Sequence, residues 1–575
     1  LGFLSCLSSA RLAPHGQMKR RDPMAPLDDE ESDEMEQIPL KAAAAARWRK
    51  QLRTAGTACL ILIGIGLVFS AGAQDTSKHL HIVTWNIAAI NNNPFEYWIT
   101  HKDPEYNQLM ADVQSFIDTP GDRDVPVHQI FSQQHFDELK QMMSQEGWDV
   151  SGTEARWRDD FKDRRIITEF LKDPSLGDKR LASMPDRVTN TINTGDSGVL
   201  CRPAVINCYE GDLGNLRKWW HQWKGFMFNH TLRLADGSTD DVRPIQMLKP
   251  IKRSKYPALT PEEEAMSLPL QTLAQAIFDA ILVHIVNSVS PNGRWQGLRQ
   301  EMCDALNRHK DERTLTILAS TYADADIVFL QESAVAFQQK AKADPAIGSR
   351  YIVARSATFD KSRDQNSLVL LNKERFVEST IEDHTATVMS SFTTAVPVAS
   401  GDLFVLSVAD KRGERYLFAS FHGDTNGLAT KPVFAAVDQL ARTMPDRTLI
   451  FGLDANTYEA VVPGKLQNVL DFAQDYFEKG YTSCWGDMPD PKNHTTYNAR
   501  TYLQAQLQKA AKRSETATKG DKNPKDFIIF PKGTYKVLRT QKDNTGERRY
   551  VEDMVFPTLQ FPSDHGVLST TLEEL

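Results

Sequence analysis

The most constraining feature of this chain is a series of short, uninterrupted apolar runs after residue 79, each of which meets polar residues at one end. The runs lie within residues 81–86, 325–332, 366–372, 416–422, 448–456, 526–530 and 563–568. Apolar runs of this length without alternation are typical of strands buried on both faces, in sheets that are covered by helices or packed on one another. The pattern therefore predicts an α/β protein.

The composition places the 575 residues among ordinary globular proteins. Hydrophobic residues make up 41% and charged residues 25%, which excludes a fully disordered chain, a collagen-like repeat and a multi-span membrane protein. The net charge is −8, so any phosphate binding must be local. The six cysteines include no CxxC pair, and they indicate neither a disulfide scaffold nor structural zinc. Cys201 and Cys208 are either a pair in an oxidising compartment or two ordinary thiols.

The polar residues at the ends of the runs are metal-ligand and acid–base types. They are the carboxylates Glu332, Asp454, Asp526 and Asp564, the amides Asn86 and Asn456, and the imidazoles His422 and His565. Oxygen ligands without a thiolate suit Mg²⁺, Mn²⁺ or Ca²⁺ rather than zinc. A hard cation beside histidines and spare carboxylates suits attack of water on a phosphate ester. Any one of these residues alone is more often an ordinary turn or surface residue. Only their occurrence together, in this order along the chain, indicates an active site.

That order resembles the endonuclease/exonuclease/phosphatase superfamily, the deoxyribonuclease I-like metal-dependent phosphoesterases. The matching motifs are Trp85-Asn86-Ile87, Gln331-Glu332, Phe421-His422, Gly452-Leu453-Asp454-Ala455-Asn456, Asp526-Phe527-Ile528 and Ser563-Asp564-His565. Leu453 departs from the family's G-D-x-N pattern as one inserted residue. The resemblance implies a four-layer fold, in which a two-sheet β-sandwich is flanked by helices, over residues 79–575.

The resemblance also implies a metal site. Glu332 would bind the cation, which is Mg²⁺ with Mn²⁺ or Ca²⁺ as alternatives, and Asn86 and Asp564 would lie close to it.

The remaining motif residues would carry the chemistry. The implied catalytic residues are His422, Asp454, Asn456, Asp526 and His565. Asp454 and Asn456 would position the nucleophile and the scissile phosphate, and His422 would contact the phosphoryl group and the leaving oxygen. His565, oriented by Asp526, would be the general base or a phosphate ligand, and interacting groups of this kind share their titrations.

Two segments beside the motifs are expected at the rim of the pocket. Asp424 and Asn426, just after His422, are predicted to contact substrate, although a tight turn explains them equally well. Residues 91–98 directly follow the opening motif and should lie near the pocket for the same reason.

A large, mainly helical insertion interrupts the predicted core at about residues 95–305. Helical patterns occur over 270–289 within it and over 312–322, which leads into Gln331. Its cluster Trp219-Trp220-His221-Gln222-Trp223 favours core packing. The alternatives are a cap over the active site, or a membrane-facing or carbohydrate-binding surface with exposed tryptophans.

The N-terminal part predicts targeting rather than a domain. We expect a disordered cytoplasmic tail over residues 1–54 and a transmembrane signal anchor over 55–73, because basic residues precede a charge-free apolar stretch. The domain beyond it would then be lumenal or extracellular. The alternative is a signal peptide cleaved near Ala71-Gly72-Ala73, which gives a secreted protein. Sequons at Asn229 and Asn493 are compatible with either route.

The sequence thus predicts a membrane-anchored phosphodiesterase or nuclease acting on nucleic acid or phospholipid. Basic segments over 509–525 and 536–549 favour a polyanionic substrate, with two solvated loops as the equal alternative. A sphingomyelinase-like phospholipid phosphodiesterase and an inactive membrane-tethered binding module are the alternative functions. No obligate protein partner is indicated.

Overall fold

The computed structural model describes residues 78–195, 198–235, 241–360, 365–393, 395–505 and 520–575. The predicted tail over 1–54 and the predicted anchor over 55–73 lie outside these residues, as do the basic residues between 506 and 519.

The described residues contain both strands and helices throughout. The strands are β1 (His79–Asn86), β2 (Thr191–Asn193), β3 (Val199–Cys201), β4 (Leu232–Arg233), β5 (Asp241–Val242), β6 (Ile327–Ser333), β7 (Tyr351–Arg355), β8 (Asn366–Asn372), β9 (Glu382–Asp383), β10 (Leu403–Ala409), β11 (Arg415–His422), β12 (Thr448–Asp454), β13 (Tyr481–Ser483), β14 (Thr496–Asn498), β15 (Asp521–Asn523), β16 (Asp526–Pro531), β17 (Tyr535–Asp543) and β18 (Val567–Glu574). The α-helices are Pro104–Asp118, Gln133–Gln145, Ser151–Asp159, Pro174–Asp178, Ser183–Thr189, Leu216–Lys224, Pro261–Ala265, Ser267–Val289, Arg294–Cys303, Lys310–Ser320, Val335–Ala343, Pro345–Arg350, Thr385–Met389, Thr430–Thr443 and Val469–Glu478. The fold is mixed α/β, as the sequence predicts, and each predicted apolar run contains or overlaps a strand.

Two six-stranded sheets organise the part of the chain outside the insertion. Their strand orders are β17-β18-β1-β6-β8-β7 and β13-β16-β12-β11-β10-β9. The central pairs β1 and β6 in the first sheet, and β11 and β12 in the second, are parallel. Parallel neighbours end at the same edge of a sheet, so the motifs that follow them are brought together.

Hydrophobic clusters explain why these strands lack a polar face. One cluster contains side chains of both sheets, among them Phe329 of β6 and Phe418 of β11, whose ring centroids lie 6.0 Å apart. A second cluster joins the first sheet to the helices Lys310–Ser320 and Val335–Ala343. A third joins the second sheet to the helices Thr430–Thr443 and Val469–Glu478. Each sheet is therefore buried on both faces, which is the condition under which continuous apolar strands occur.

The insertion has a hydrophobic cluster of its own, built from residues between Phe95 and Leu306 together with Tyr502 and Leu503. Its longest helix, Ser267–Val289, is the one helix among the described residues that is long and apolar enough to cross a membrane. However, 78% of its apolar window is buried inside the protein, where a core helix belongs.

The tryptophan cluster of the insertion is buried. Trp219, Trp220 and Trp223 are exposed by 4% or less. The indole of Trp223 donates to Asp279 (2.9 Å), and the indole of Trp220 donates to Glu138 (2.8 Å). This confirms the core-packing interpretation and removes the alternative of a surface with exposed tryptophans.

The disulfide also differs from the pair that the sequence left open. Cys208 is bonded to Cys303, and Cys201 is a free thiol. The partner is 95 residues away in sequence, so proximity along the chain could not reveal it.

Candidate active site

The predicted site residues meet where strands of the two sheets end. In the first sheet Asn86 lies opposite Gln331 across β1 and β6. In the second sheet His422, Asp454 and Asp526 lie opposite one another on β11, β12 and β16. Residues directly opposite on neighbouring strands point to the same face. The register of the strands therefore gathers the side chains of each sheet, and the packing of the two sheets brings Asn86 to Asp454.

A cleft of about 420 Å³ opens at this point. It is lined by six of the predicted residues, which are Glu332, His422, Asp454, Asn456, Asp564 and His565. Asn86 and Asp526 are fully buried. The Asn456 N–H donates to Asp454 Oδ1 (2.9 Å), and with the contacts described below this joins seven of the eight residues of the predicted metal and catalytic sets; Asp564 borders the same cleft.

Asn86 and Glu332 form the first half of the site. The Asn86 amide donates to Glu332 Oε1 (3.1 Å) and to Asp454 Oδ2 (2.8 Å), so it bridges carboxylates that belong to different sheets. The backbone N–H of Ala89 donates to Glu332 Oε2 (2.7 Å). Glu332 and Ala88 both have a φ of 55°, in the left-handed region that residues other than glycine seldom adopt. Such conformations persist where surrounding contacts impose them, and they cluster at functional sites.

His422 connects the two carboxylates. Its Nε2 lies 3.2 Å from Glu332 Oε1 and 3.7 Å from Asp454 Oδ2. Burial alone would raise the pKa of Asp454, but the charges of His565 and His422 outweigh burial and lower it. Asp454 is therefore held as a carboxylate although it is fully buried.

His565 and Asp526 form the second half of the site. His565 Nδ1 lies 3.0 Å from Asp526 Oδ2, and its Nε2 lies 3.5 Å from Asp454 Oδ2. Burial opposes the charge on His565, yet Asp454 and Asp526 outweigh burial and raise its pKa to about 10. Burial raises the pKa of Asp526 against the opposing charge of His565. The imidazole thus lies between two carboxylates and carries a proton in this arrangement.

Two sets of residues offer ligand atoms for a cation. Asp454, Asp526 and His565 place theirs within 4.8 Å of one another. The predicted set of Asn86, Glu332 and Asp564 borders or underlies the same cleft. The donors are mostly carboxylate oxygens, which suits a hard divalent cation.

Asp564 is held by two residues that the motifs did not identify. The Tyr97 hydroxyl donates to Asp564 Oδ2 (3.1 Å), and the Asn498 amide lies 3.4 Å from the same oxygen. Burial and the charge of Asp564 raise the pKa of Tyr97, so the phenol stays protonated and can donate. Tyr97 belongs to the segment 91–98 that the sequence placed at the rim, and Asn91, Asn93 and Glu96 of that segment also line the cleft.

Lys525 is a further cation at the site. Its Nζ donates to Asn456 Oδ1 (2.9 Å), and Lys525 is only 7% exposed. Burial disfavours its charge, but nearby groups that include Asp454 outweigh burial and raise its pKa. Asn456 also has a left-handed backbone, with a φ of 47°. The sequence analysis grouped Lys525 with a basic loop. The signal that it belongs to the site was its position directly before Asp526.

Lys310 reaches the site from the helix that follows the insertion. Its ammonium donates to the backbone carbonyls of Ala88 and Ala89 and is almost fully buried. Burial lowers its pKa to about 8. Since the Ala89 N–H holds Glu332, Lys310 braces the loop that orients the predicted metal ligand.

Asp424 and Asn426 lie in the loop after His422 but do not line the cleft, whereas Thr425 between them does. Asp424 accepts from the backbone N–H groups of Ala429 (2.7 Å) and Asn426 (3.2 Å). In this structure Asp424 therefore stabilises the turn, and a substrate contact for either residue stays a prediction.

Comparisons with known proteins match part of the chain but give no activity. A family model described as a domain of unknown function, DUF8234, matches residues 124–300. No curated protein matches the chain.

Several solved structures resemble the chain over slightly less than half of its length. Zebrafish (D. rerio) TDP2 complexed with a single-strand DNA product is 15% identical, with 46% of this chain and 91% of that chain covered and a TM-score of 0.30. An endonuclease/exonuclease/phosphatase family protein from Bacteroides thetaiotaomicron is 16% identical, with 46% and 89% covered and a TM-score of 0.31. The human Nocturnin catalytic domain with a bound sulfate anion is 12% identical, with 48% and 90% covered and a TM-score of 0.31. Similarities this low carry no argument about function, which must come from the site itself.

Proposed function

We propose that this protein is a divalent-metal-dependent phosphoester hydrolase. The observation that carries the proposal is the meeting of Glu332, Asp454 and His565 in one cleft, with Asn86 bridging the two carboxylates. Fully buried carboxylates are costly unless they are paired or hold a cation. An inactive binding module would not need these groups together.

The donor set fits a hard cation. Glu332 and Asp564 would hold it, with Asn86 adjacent, and the oxygen-rich character of the site favours Mg²⁺ over zinc. When bound, such a cation neutralises the charge that develops on the phosphoryl oxygens.

The chain's own residues supply the proton chemistry and the orientation. The hydrogen bond to Asp526 fixes the ring plane of His565 and stabilises its positive charge, as a carboxylate does for a catalytic histidine. The raised pKa favours a protonated His565 that donates from Nε2 to a phosphoryl oxygen. Asp454, held as a carboxylate, can accept the proton of the attacking water, and His422, on the Glu332 side, is placed to donate a proton to the leaving oxygen. Lys525 and Asn456, which are hydrogen-bonded to each other and line the same cleft, position the phosphate.

Three finer elements belong to the same proposal. The two sheets form the central layers of a sandwich with helices outside, which the cluster shared by both sheets supports. The chain is anchored by residues 55–73, with the catalytic part lumenal or extracellular, for which the apolar stretch and the preceding basic residues are the support. Residues at about 95–305 are a mainly helical insertion that interrupts this domain, which their hydrophobic cluster supports.

Hydrolysis of bis(p-nitrophenyl) phosphate and p-nitrophenyl phosphate tests the proposal, and the pair distinguishes a diesterase from a monoesterase. We expect EDTA to abolish turnover and excess Mg²⁺ to restore it. His565→Ala should remain folded by circular dichroism and lose turnover. Asp446→Asn, which removes the exposed partner of Arg415, should remain folded and keep wild-type turnover. Full activity in excess EDTA would refute the proposal, as would the absence of hydrolysis with Mg²⁺, Mn²⁺ and Ca²⁺.

A further inference from the structure

A second and larger cavity, of about 1000 Å³, lies between the insertion and the core. Much of its wall is apolar, with side chains from Ile90, Val199, Leu200, Pro203, Tyr209 and Phe226. This is the upper end of the volume that ligand sites in proteins commonly have. We call it the insertion pocket.

The insertion pocket adjoins the candidate active site. Ile90 lines both cavities, and the loop that follows divides them, because Asn91 faces the cleft while Asn92 faces the insertion pocket. The Asn307 amide donates to Asn91 O and to Asn92 Oδ1, both at 3.1 Å, and so ties this loop to the end of the insertion. A molecule bound by its phosphate in the cleft could therefore extend across the loop into the insertion pocket.

The cations of the insertion pocket are engaged by carboxylates. Arg308 pairs with Glu210 (3.0 Å) and Asp304 (2.8 Å), and Lys340 pairs with Asp311 (3.0 Å). These groups leave little positive charge for a second phosphate.

Five of the seven basic residues that the structure describes in the segments around Asp526 are paired with carboxylates, whereas Lys525 donates to Asn456. Lys522 pairs with Asp553 (2.6 Å), and Lys542 pairs with Glu552 (3.3 Å). A polynucleotide needs several cations along its backbone, since phosphate neutralisation supplies most of its affinity. This arrangement favours a substrate with one phosphoester and a large apolar part.

We propose that the insertion pocket binds the hydrocarbon chain of an amphiphilic phosphoester whose phosphate occupies the cleft. The inference rests on the proposed function, because the cleft must be the phosphate site, and it names the substrate class. The residues that select this substrate come from the insertion rather than from the metal site.

Binding of alkyl phosphates to the full chain tests this directly. Butyl, hexyl, octyl and decyl phosphate, each below its micelle concentration, are titrated calorimetrically with Mg²⁺ present, because without a cation the carboxylates of the cleft would repel the phosphate. No turnover is needed, so the outcome does not depend on whether the protein hydrolyses anything. If the chain enters the insertion pocket, affinity should rise by about fourfold for each added methylene until the pocket is filled.

Two variants separate the insertion pocket from other apolar surface. Val199 is 61% exposed at the pocket and Val461 is 72% exposed elsewhere, so Val199→Asp and Val461→Asp are matched substitutions. Val199→Asp should weaken decyl phosphate at least tenfold while butyl phosphate is unchanged, and Val461→Asp should bind both as the wild type does. Phe226→Ala, checked for folding by circular dichroism, should also flatten the chain-length dependence.

Any of three results would overturn the proposal. The first is affinity that does not depend on chain length, and the second is an equal loss of decyl phosphate affinity in Val461→Asp and Val199→Asp. The third is tighter binding of a dithymidine phosphate than of any alkyl phosphate, which would assign the pocket to nucleobases. If the protein hydrolyses no phosphoester but its affinity for alkyl phosphates still rises with chain length, the result counts against the proposed function and not against the insertion pocket.

Discussion

Replacing Lys310 with methionine should weaken metal binding without unfolding the protein. The ammonium is 3% exposed and donates to the carbonyls of Ala88 and Ala89, at 2.9 Å for Ala89. The N–H of Ala89 in turn donates to Glu332 (2.7 Å). Lys310→Met keeps most of the side-chain volume and removes the charge, so the loop that carries this N–H loses its brace.

Two opposing terms decide the effect on stability. Each lost hydrogen bond from the charged amine costs about 1.5–3 kcal/mol. Burial of that charge, which lowers the pKa from 10.5 to about 8, corresponds to about 3 kcal/mol that the substitution recovers. The net loss in the free energy of unfolding should therefore stay below about 3 kcal/mol. Disturbing a residue that orients a metal ligand, by contrast, typically lowers metal affinity about 10- to 100-fold.

The assay is the Mg²⁺ concentration that gives half-maximal phosphodiester hydrolysis, with thermal unfolding measured in parallel. Lys310→Met should raise that concentration at least tenfold. Lys140→Met removes a lysine that is paired with Glu154 at the surface, and it should leave that Mg²⁺ concentration unchanged. An unchanged metal requirement in Lys310→Met would refute the bracing role, and so would loss of all folded structure.

Two further predictions concern the insertion. Glu138 has its pKa lowered to about 2, chiefly by the hydrogen bond from Lys224, so its stabilisation is complete above pH 4.5 and is lost as the pH falls towards 2. Glu138→Gln should therefore melt below the wild type at pH 6, and the two melting curves should converge near pH 2; a constant gap would contradict the assignment. Asp279→Asn removes one of the two carboxylates that pair with the fully buried Arg202, at 2.8 Å, while Asp186 remains at 2.7 Å, and it should cost about 1–3 kcal/mol of unfolding free energy in denaturant titrations. Asp212→Asn, at an exposed pair with Lys218, should cost less than about 1 kcal/mol, and equal losses in the two variants would show that burial does not set the cost.

The strands and their polar ends could be read from the sequence because each strand is a local pattern. Thr448–Asp454, for example, is seven residues long and buried on both faces, so its apolar run predicts its bounds. The order of the strand-end motifs then indicated which ends would meet. Only the structure shows that Asn86 bridges Glu332 and Asp454, because Glu332 lies 246 positions after Asn86 in the sequence and Asp454 lies 368 positions after it.

The parts that the sequence did not reveal depend on distant contacts. Lys310 looks like the first residue of an amphipathic helix, and only the return of the chain beneath residues 88–89 makes it a brace. Tyr97 and Asn498 reach Asp564 from segments 401 positions apart in the chain numbering, which no local pattern records. The pairing of Cys208 with Cys303 was hidden in the same way. Residues 91–98 were placed correctly at the rim because they directly follow a strand that ends in the site.

The Mg²⁺ dependence of hydrolysis in Glu332→Gln tests the central claim most directly. The substitution keeps the side-chain shape and the hydrogen bond from Ala89 while it removes the charge that would hold the cation. Glu374→Gln, at an exposed turn after β8, is the control. We predict strongly reduced activity at low Mg²⁺, partial recovery at high Mg²⁺ and wild-type behaviour of the control. Activity in Glu332→Gln with the same Mg²⁺ dependence as the wild type would contradict metal-dependent phosphoester hydrolysis at this cleft.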